Sequence, residues 1–223
     1  MPDGALERAR ELAERPGRTL LGIAGAPGAG KSTLAAGLAQ ALGAASAVVV
    51  PMDGFHLAQA TLERLGRAER KGAPDTFDAA GFIALLRRLR SGGGLADGGR
   101  EADRAEPGTA VVGETVWAPE YRRDLRHGVT GAIEVAPDVP LVIVEGNYLL
   151  CDEAGFGPVR GLLDETWFCE LDPAVRVERL VARHVATGKE PGYAREWVLG
   201  SDERNAALVA ATRDRADRVL VMP

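Results

Sequence analysis

Gly25-Ala-Pro-Gly-Ala-Gly-Lys31-Ser32 has the spacing G-x-x-x-x-G-K-S. It follows the apolar run Thr19–Ala24 and precedes a helix-like stretch, Lys31–Leu42. A strand, a glycine-rich turn and a helix start in that order form the context in which such a turn cradles phosphate. Gly25, Gly28 and Gly30 let successive backbone N–H groups face inward. The helix start adds partial positive charge. Lys31 is placed to reach the β- and γ-phosphates, and Ser32 offers a hydroxyl to Mg²⁺. The stretch predicts binding of a nucleoside triphosphate.

Around this turn, strand-length apolar runs recur at Ala47–Val50, Leu141–Val144, Thr166–Leu171 and Arg218–Met222. Helical patterns separate them at Asp78–Arg90, Pro173–Thr187 and Ala194–Thr212, and a short amphipathic helix is expected at Leu6–Glu14. Strands alternating with helices predict an α/β fold with a mostly parallel sheet covered on both faces. Asp78 and Asp172-Pro173 read as helix entries. Glu114–Trp117 and Ala132–Val135 are expected to pair as an irregular hairpin. Ser91–Gly108, with Gly92-Gly93-Gly94 and Gly98-Gly99, reads as a mobile surface insertion.

The chain has 223 residues, a size for one α/β domain, and 46% hydrophobic residues, ample for a core. A net charge of −5 argues against a nucleic-acid partner. No apolar run reaches membrane-spanning length, and Met1–Arg18 holds no apolar signal core. Cys151 and Cys169 lack a CxxC partner and are expected as buried reduced thiols, which fits a cytoplasmic protein.

In parallel α/β sheets ligands gather at the carboxyl ends of strands. Asp53 and His56 follow the run Ala47–Val50, and Glu145 and Asn147 follow the run Leu141–Val144. One carboxylate can take a proton from an acceptor hydroxyl while the other helps Ser32 hold Mg²⁺. Arg176, Arg179 and Arg183 share a face of helix Pro173–Thr187, with Val177, Leu180, Val181 and His184 on the neighbouring, inward face. Thr187–Gly192 is a flexible turn, so the arginines read as a lid over the phosphates, with Arg183 the best placed. Arg122, Arg123, Arg126 and His127 form a local basic cluster that, facing the pocket, would favour an anionic acceptor. Trp117, Trp167 and Trp197 are expected to be packing residues.

These residues fall into an ordered set: GAPGAGKS, Met52–His56, Arg70–Asp78, Ala118-Pro-Glu-Tyr121, Val144–Asn147, the arginine helix and Thr212–Asp217. The set resembles the small-molecule kinases that include uridine kinase, phosphoribulokinase and bacterial-type pantothenate kinase. It looks closest to bacterial members described as nucleoside/nucleotide kinase-like or fructokinase-like. The resemblance covers Thr19–Met222 apart from the glycine-rich insertion. It implies a P-loop NTPase three-layer α/β/α fold with an arginine lid and a small β-rich substrate-side insertion. One domain spans 1–223: a nucleotide-binding core at 18–90, the insertion at 91–112, the substrate-side segment at 113–136 and the lid at 173–192.

The resemblance also implies roles. Asp53 matches the catalytic base, with Lys31 and Arg183 completing the catalytic set. Gly25, Ala26, Pro27, Gly28, Ala29, Gly30, Lys31, Ser32 and Thr33 take ATP, with Arg179 and Arg183 closing over it. Ser32 and Glu145 hold Mg²⁺. Asp53, His56, Lys71, Tyr121, Arg123 and Asn147 face the acceptor, and a homodimer is common in the family. Two departures weigh against a nucleoside: Gly72 stands where uridine kinases carry a ribose-binding aspartate, and Arg122 follows Tyr121 where relatives carry Asp. The expected activity is transfer of the ATP γ-phosphoryl to a hydroxyl of a sugar, a pantothenate-like acid or a nucleoside. The competing expectation is a regulatory NTPase. It would show a guanine-reading Asn-Lys-x-Asp stretch, which the sequence lacks.

Overall fold

The computed structural model describes residues 1–92, 113–122, 124–125 and 127–223. The bulk of the predicted insertion, together with Arg123 and Arg126, lies outside the described residues. Five strands form a parallel sheet in the order β2-β5-β1-β6-β7: β1 (Thr19–Gly25), β2 (Ala47–Pro51), β5 (Leu141–Glu145), β6 (Glu165–Glu170) and β7 (Arg218–Val221). A separate antiparallel hairpin joins β3 (Val116–Arg122) and β4 (His127–Val135). The hairpin pairs Val116 with Val135 and Trp117 with Glu134, as the sequence leads one to expect, and runs further with an irregularity between Ala118 and Glu120.

Continuous apolar strands are buried on both faces here because helices cover both. Leu21, Ile23, Leu141, Ile143 and Trp167 pack against α1 (Ala5–Ala13) and α2 (Lys31–Leu42). Leu20, Val142, Val144 and Phe168 face α4 (Ala79–Ser91), the aromatics Tyr148 and Phe156, and Val209 of α7 (Glu203–Ala210). This is the three-layer α/β/α arrangement. Helix α4 buries Phe82, Ile83, Leu85, Leu86 and Leu89, a 3.6-residue stripe. Its N-cap Asp78 accepts from the Gly81 N–H, and Asp172 accepts from Ala174 and Val175 to start α5 (Pro173–Ala186). Among the described residues no helix is long and apolar enough to cross a membrane.

Two expectations need correction, and one arm was not anticipated. The helix expected over Ala194–Thr212 is α6 (Pro191–Trp197), a π-helical turn (Val198–Asp202) and α7. Gly200 lies inside the widened turn, where a regular helix is least favoured. The arm between Gly54 and Asp78 contains α3 (Gln59–Arg64) and two 3-10 turns that no periodicity announced. Trp117 is an outward residue of the hairpin and 52% exposed, while its neighbours Val116 and Ala118 turn inward. Trp167 is fully buried, and Trp197 is half-buried beneath the Lys189 ammonium. Cys151 and Cys169 are free, buried thiols.

Candidate active site

The phosphate turn joins β1 to α2. Gly28 and Gly30 hold φ of 82° and 90°, a left-handed conformation that curls the loop and that other residues resist. Gly30 is the N-cap of α2 and has no side chain to occupy the helix's first N–H groups. Such donors, with the helix dipole behind them, are the groups that favour an anion. Thr33 is exposed in the first turn. Lys31 is buried, and its ammonium donates to the Ala26 carbonyl at 3.0 Å. Burial pushes the Lys31 pKa below the ordinary lysine value, against the pull of Glu145 and Asp53, while Arg183 pushes the same way as burial.

Strand register brings the carboxylates to this edge. Glu145 ends β5, level with Ile23 of β1 and Pro51 of β2. The Ser32 hydroxyl donates to Glu145 Oε1 at 3.0 Å, so the two residues expected at the metal are in direct contact. A hydroxyl and a carboxylate are the hard oxygen donors that suit Mg²⁺, an ion that takes few protein ligands and completes its shell with phosphate and water. Among the described residues no three His, Cys, Asp or Glu side chains cluster as a protein-only metal cage. Asp53 lies on the 3-10 turn Met52–Phe55 directly after β2. Its carboxylate and that of Glu145 both act on Lys31, which places the three groups in one electrostatic neighbourhood.

The expected acceptor residues meet on the other side of that turn. His56 Nδ1 lies 2.8 Å from the Asp53 carbonyl, which only accepts, so the ring proton is fixed on Nδ1. Backbone bonds Leu57 N–H to Thr76 O and Asp78 N–H to Phe55 O close the arm between them into a loop. That closure returns Lys71 to the site, with its ammonium 5.5 Å from the Tyr121 ring centroid. The His56 ring lies 4.8 Å from Tyr121 and 4.0 Å from Phe77. The hairpin reaches this position by close backbone approach. A Cβ on Gly54 would stand 2.4 Å from Pro119 O, and one on Gly128 2.3 Å from Gly54 O. Sequence reading missed both this contact and Phe77. The Asp53-Gly54 pair was the one available signal.

Other expectations separate. Arg122 pairs with Asp124 through contacts of 2.9 and 3.0 Å, and His127 is exposed opposite it in the ladder. The basic cluster is therefore partly neutralised within its own hairpin, and Arg123 and Arg126 lie outside the described residues. Asn147 is half-buried two residues beyond Glu145. At Gly72, the carbonyl accepts from the buried Tyr148 hydroxyl.

The arginine helix does not act as one stripe. Leu180 is buried and Val177, Val181 and His184 are partly buried, as expected of the inward face. Arg183 is exposed and within electrostatic range of Lys31. Arg179 donates to the Pro223 carbonyl at 2.8 Å, so in this arrangement it is tied to the segment that follows β7 and is not closed over the phosphate turn. Arg176 is not a lid residue at all: it is 5% exposed and contacts the turn from behind. Helical periodicity sets direction around an axis, and what each arginine meets depends on its level along that axis.

No family model matches the chain. A candidate uridine kinase of Schizosaccharomyces pombe is 31% identical over 83% of this chain and 74% of its own length. The ATP-dependent kinase-like protein notR' of Aspergillus versicolor is 31% identical over 73% of this chain and 88% of its own. The crystal structure of a candidate fructose transport system kinase from Silicibacter sp. TM1040 superposes with a TM-score of 0.79 at 36% identity, covering 100% of both chains.

Proposed function

The chain belongs to the P-loop small-molecule kinases of the uridine kinase group, and from that premise we propose that it moves the γ-phosphoryl of Mg·ATP to an alcohol of a small acidic metabolite. ATP-dependent phosphotransfer is the family's chemistry. The acceptor does not carry over, since relatives' names point to different ones. The observation that carries the assignment of roles is the convergence of the Ser32–Glu145 contact and Asp53 on buried Lys31 at the strand ends.

In this reading the backbone from Gly25 to Thr33 grips the phosphates, and Lys31 offsets charge on the γ-group. Ser32 and Glu145 would hold Mg²⁺, which when bound neutralises charge on the β- and γ-oxygens. Asp53 orients the acceptor hydroxyl and takes its proton. Arg183 closes over the transferring group, with Arg179 following once it leaves Pro223. His56, Tyr121, Lys71 and Asn147 face the acceptor. Of the three acceptor classes, an acid is favoured by the Lys71 cation against Tyr121 and by Gly72 in place of a ribose-binding aspartate.

A phosphotransfer screen over pantothenate, uridine, fructose, ribulose 5-phosphate and glycerate, read by ADP release, tests the proposal. Acidic acceptors should turn over faster than neutral ones, and Lys71→Met should raise their KM. Preference for neutral acceptors, or indifference to Lys71→Met, would remove the acidic assignment. Stronger thermal protection by GTP than by ATP, with no acceptor in the screen, would instead favour a regulatory NTPase.

A further inference from the structure

Arg176 is a buried cation for which the proposed reaction has no use. Its side chain is 6% exposed, and a guanidinium taken so far from water persists only where it is paired. One arm meets Glu203 Oε1 of α7 at 2.5 Å. The other donates to the Pro27 carbonyl, at the apex of the phosphate turn, at 3.4 Å. The apex rests directly on the same helix: a Cβ on Gly28 would stand 2.8 Å from Leu180 Cγ and 3.2 Å from Arg176 Cγ.

We infer that Arg176 is a positioning residue of the nucleotide site, holding the apex of the phosphate turn from behind while Glu203 holds Arg176. The Pro27–Gly28 peptide is planar and trans, so its carbonyl and N–H point opposite ways. By fixing Pro27 O toward α5, Arg176 aims the Gly28 N–H away from that helix, to the side where the cradle's donors converge. Proline brings no N–H of its own to anchor the apex, so the carbonyl is the available handle. The π-helical turn before α7 supplies the second carboxylate of the arrangement. Asp202 accepts from His184 Nε2 at 2.9 Å, so adjacent residues Asp202 and Glu203 grasp α5 at two levels, and of these two ties the Arg176 one is bonded on to the phosphate turn.

That difference provides the test. Mg·ATP and Mg·ADP affinities are measured by isothermal titration for the full chain and for Arg176→Met, Arg176→Lys, Glu203→Gln and His184→Gln, with thermal unfolding of each in parallel. Arg176→Met should lose about tenfold or more in affinity for both nucleotides, the scale expected for a charge-assisted hydrogen bond. Glu203→Gln should lose less in the same direction, and Arg176→Lys should recover part of the loss. His184→Gln, which removes the other tie between α5 and α7, should keep wild-type affinity whatever its melting temperature. Unchanged affinity in a folded Arg176→Met protein, or an equal loss in His184→Gln, would overturn the inference. Glu203→Gln carries the same test if the arginine variant does not fold. The wild-type titration checks ATP binding separately.

Discussion

Gly54→Ala should uncouple acceptor use from nucleotide binding. Gly54 does not hold a positive φ, so alanine meets no backbone penalty there, and the effect is purely one of space. The added methyl would lie 2.4 Å from Pro119 O and 2.7 Å from Pro119 C, both backbone atoms of the hairpin that cannot swing aside as a side-chain tip can. Restoring ordinary contact at 3.4 Å requires the hairpin to retreat by about 1 Å. Tyr121 travels with it, away from His56, while His56 stays bonded to the Asp53 carbonyl. Such overpacking costs roughly 1–3 kcal/mol, offset by about 0.4–1 kcal/mol from the stiffer unfolded chain. The folded state should therefore survive with a melting temperature only a few degrees lower. A displacement of ~1 Å at a reacting group can cost about a hundredfold in rate. The expected result is kcat/KM for the acceptor down by about two orders of magnitude, with Mg·ATP affinity within about twofold of wild type. Steady-state kinetics with the acceptor found by screening, calorimetric titration of Mg·ATP and a melting curve measure the three quantities. Wild-type acceptor kinetics in a well-folded variant would refute the claim that the hairpin sets the acceptor side.

Asp53→Asn should lower kcat by orders of magnitude and leave ATP affinity nearly intact; near-normal turnover would remove Asp53 from the role of base. Lys31→Ala should weaken both nucleotide binding and turnover, since it removes the buried cation bonded to the Ala26 carbonyl of the turn that is proposed to grip the phosphates. Glu145→Gln should raise the Mg²⁺ concentration needed for half-maximal activity, measured by titration at fixed ATP, because it removes the anionic partner of Ser32. Burial pushes the Cys151 thiol up to about 11 and Cys169 up to about 12. Unfolded thiols ionise near pH ~8.5, so between there and these raised values the native state keeps protons the unfolded chain has lost. Stability from this source is complete below pH ~8.5 and falls as pH rises, by at most roughly 1.4 kcal/mol per unit for each thiol. Urea midpoints between pH 8 and 10 should drop less steeply in Cys151→Ala/Cys169→Ala than in wild type.

The donor side was legible because its signals are local. Helix α2 has the expected bounds Lys31–Leu42, and the central strands fall within a residue or two of their apolar runs. Glu145 was placed by a rule about strand ends, and the register with Ile23 and Pro51 follows from parallel pairing. The acceptor arm was illegible because it is held by bonds without periodicity: Arg67 to the Asp75 carbonyl, Arg70 to the Asp75 carboxylate, and the Thr76 hydroxyl between Gly72 N–H and Ala73 O. Arg176 was misassigned because a stripe on a helical wheel carries no information about depth. Trp117 was misassigned because hairpin alternation, and not residue size, decides which side chains turn inward.

A single short run of chain makes the phosphate turn, whereas His56, Lys71 and Tyr121 come from three stretches brought together by the Leu57–Thr76 and Phe55–Asp78 backbone bonds and by the close approach of Gly54 to Pro119 and Gly128. The two halves of the site therefore differ in how many separate stretches a substitution must leave in register. On the proposed assignment, substitutions along the arm or the hairpin should change acceptor preference and leave Mg·ATP affinity unchanged. A laboratory library confined to those two stretches is the place to look for altered acceptor preference under an unaltered nucleotide site.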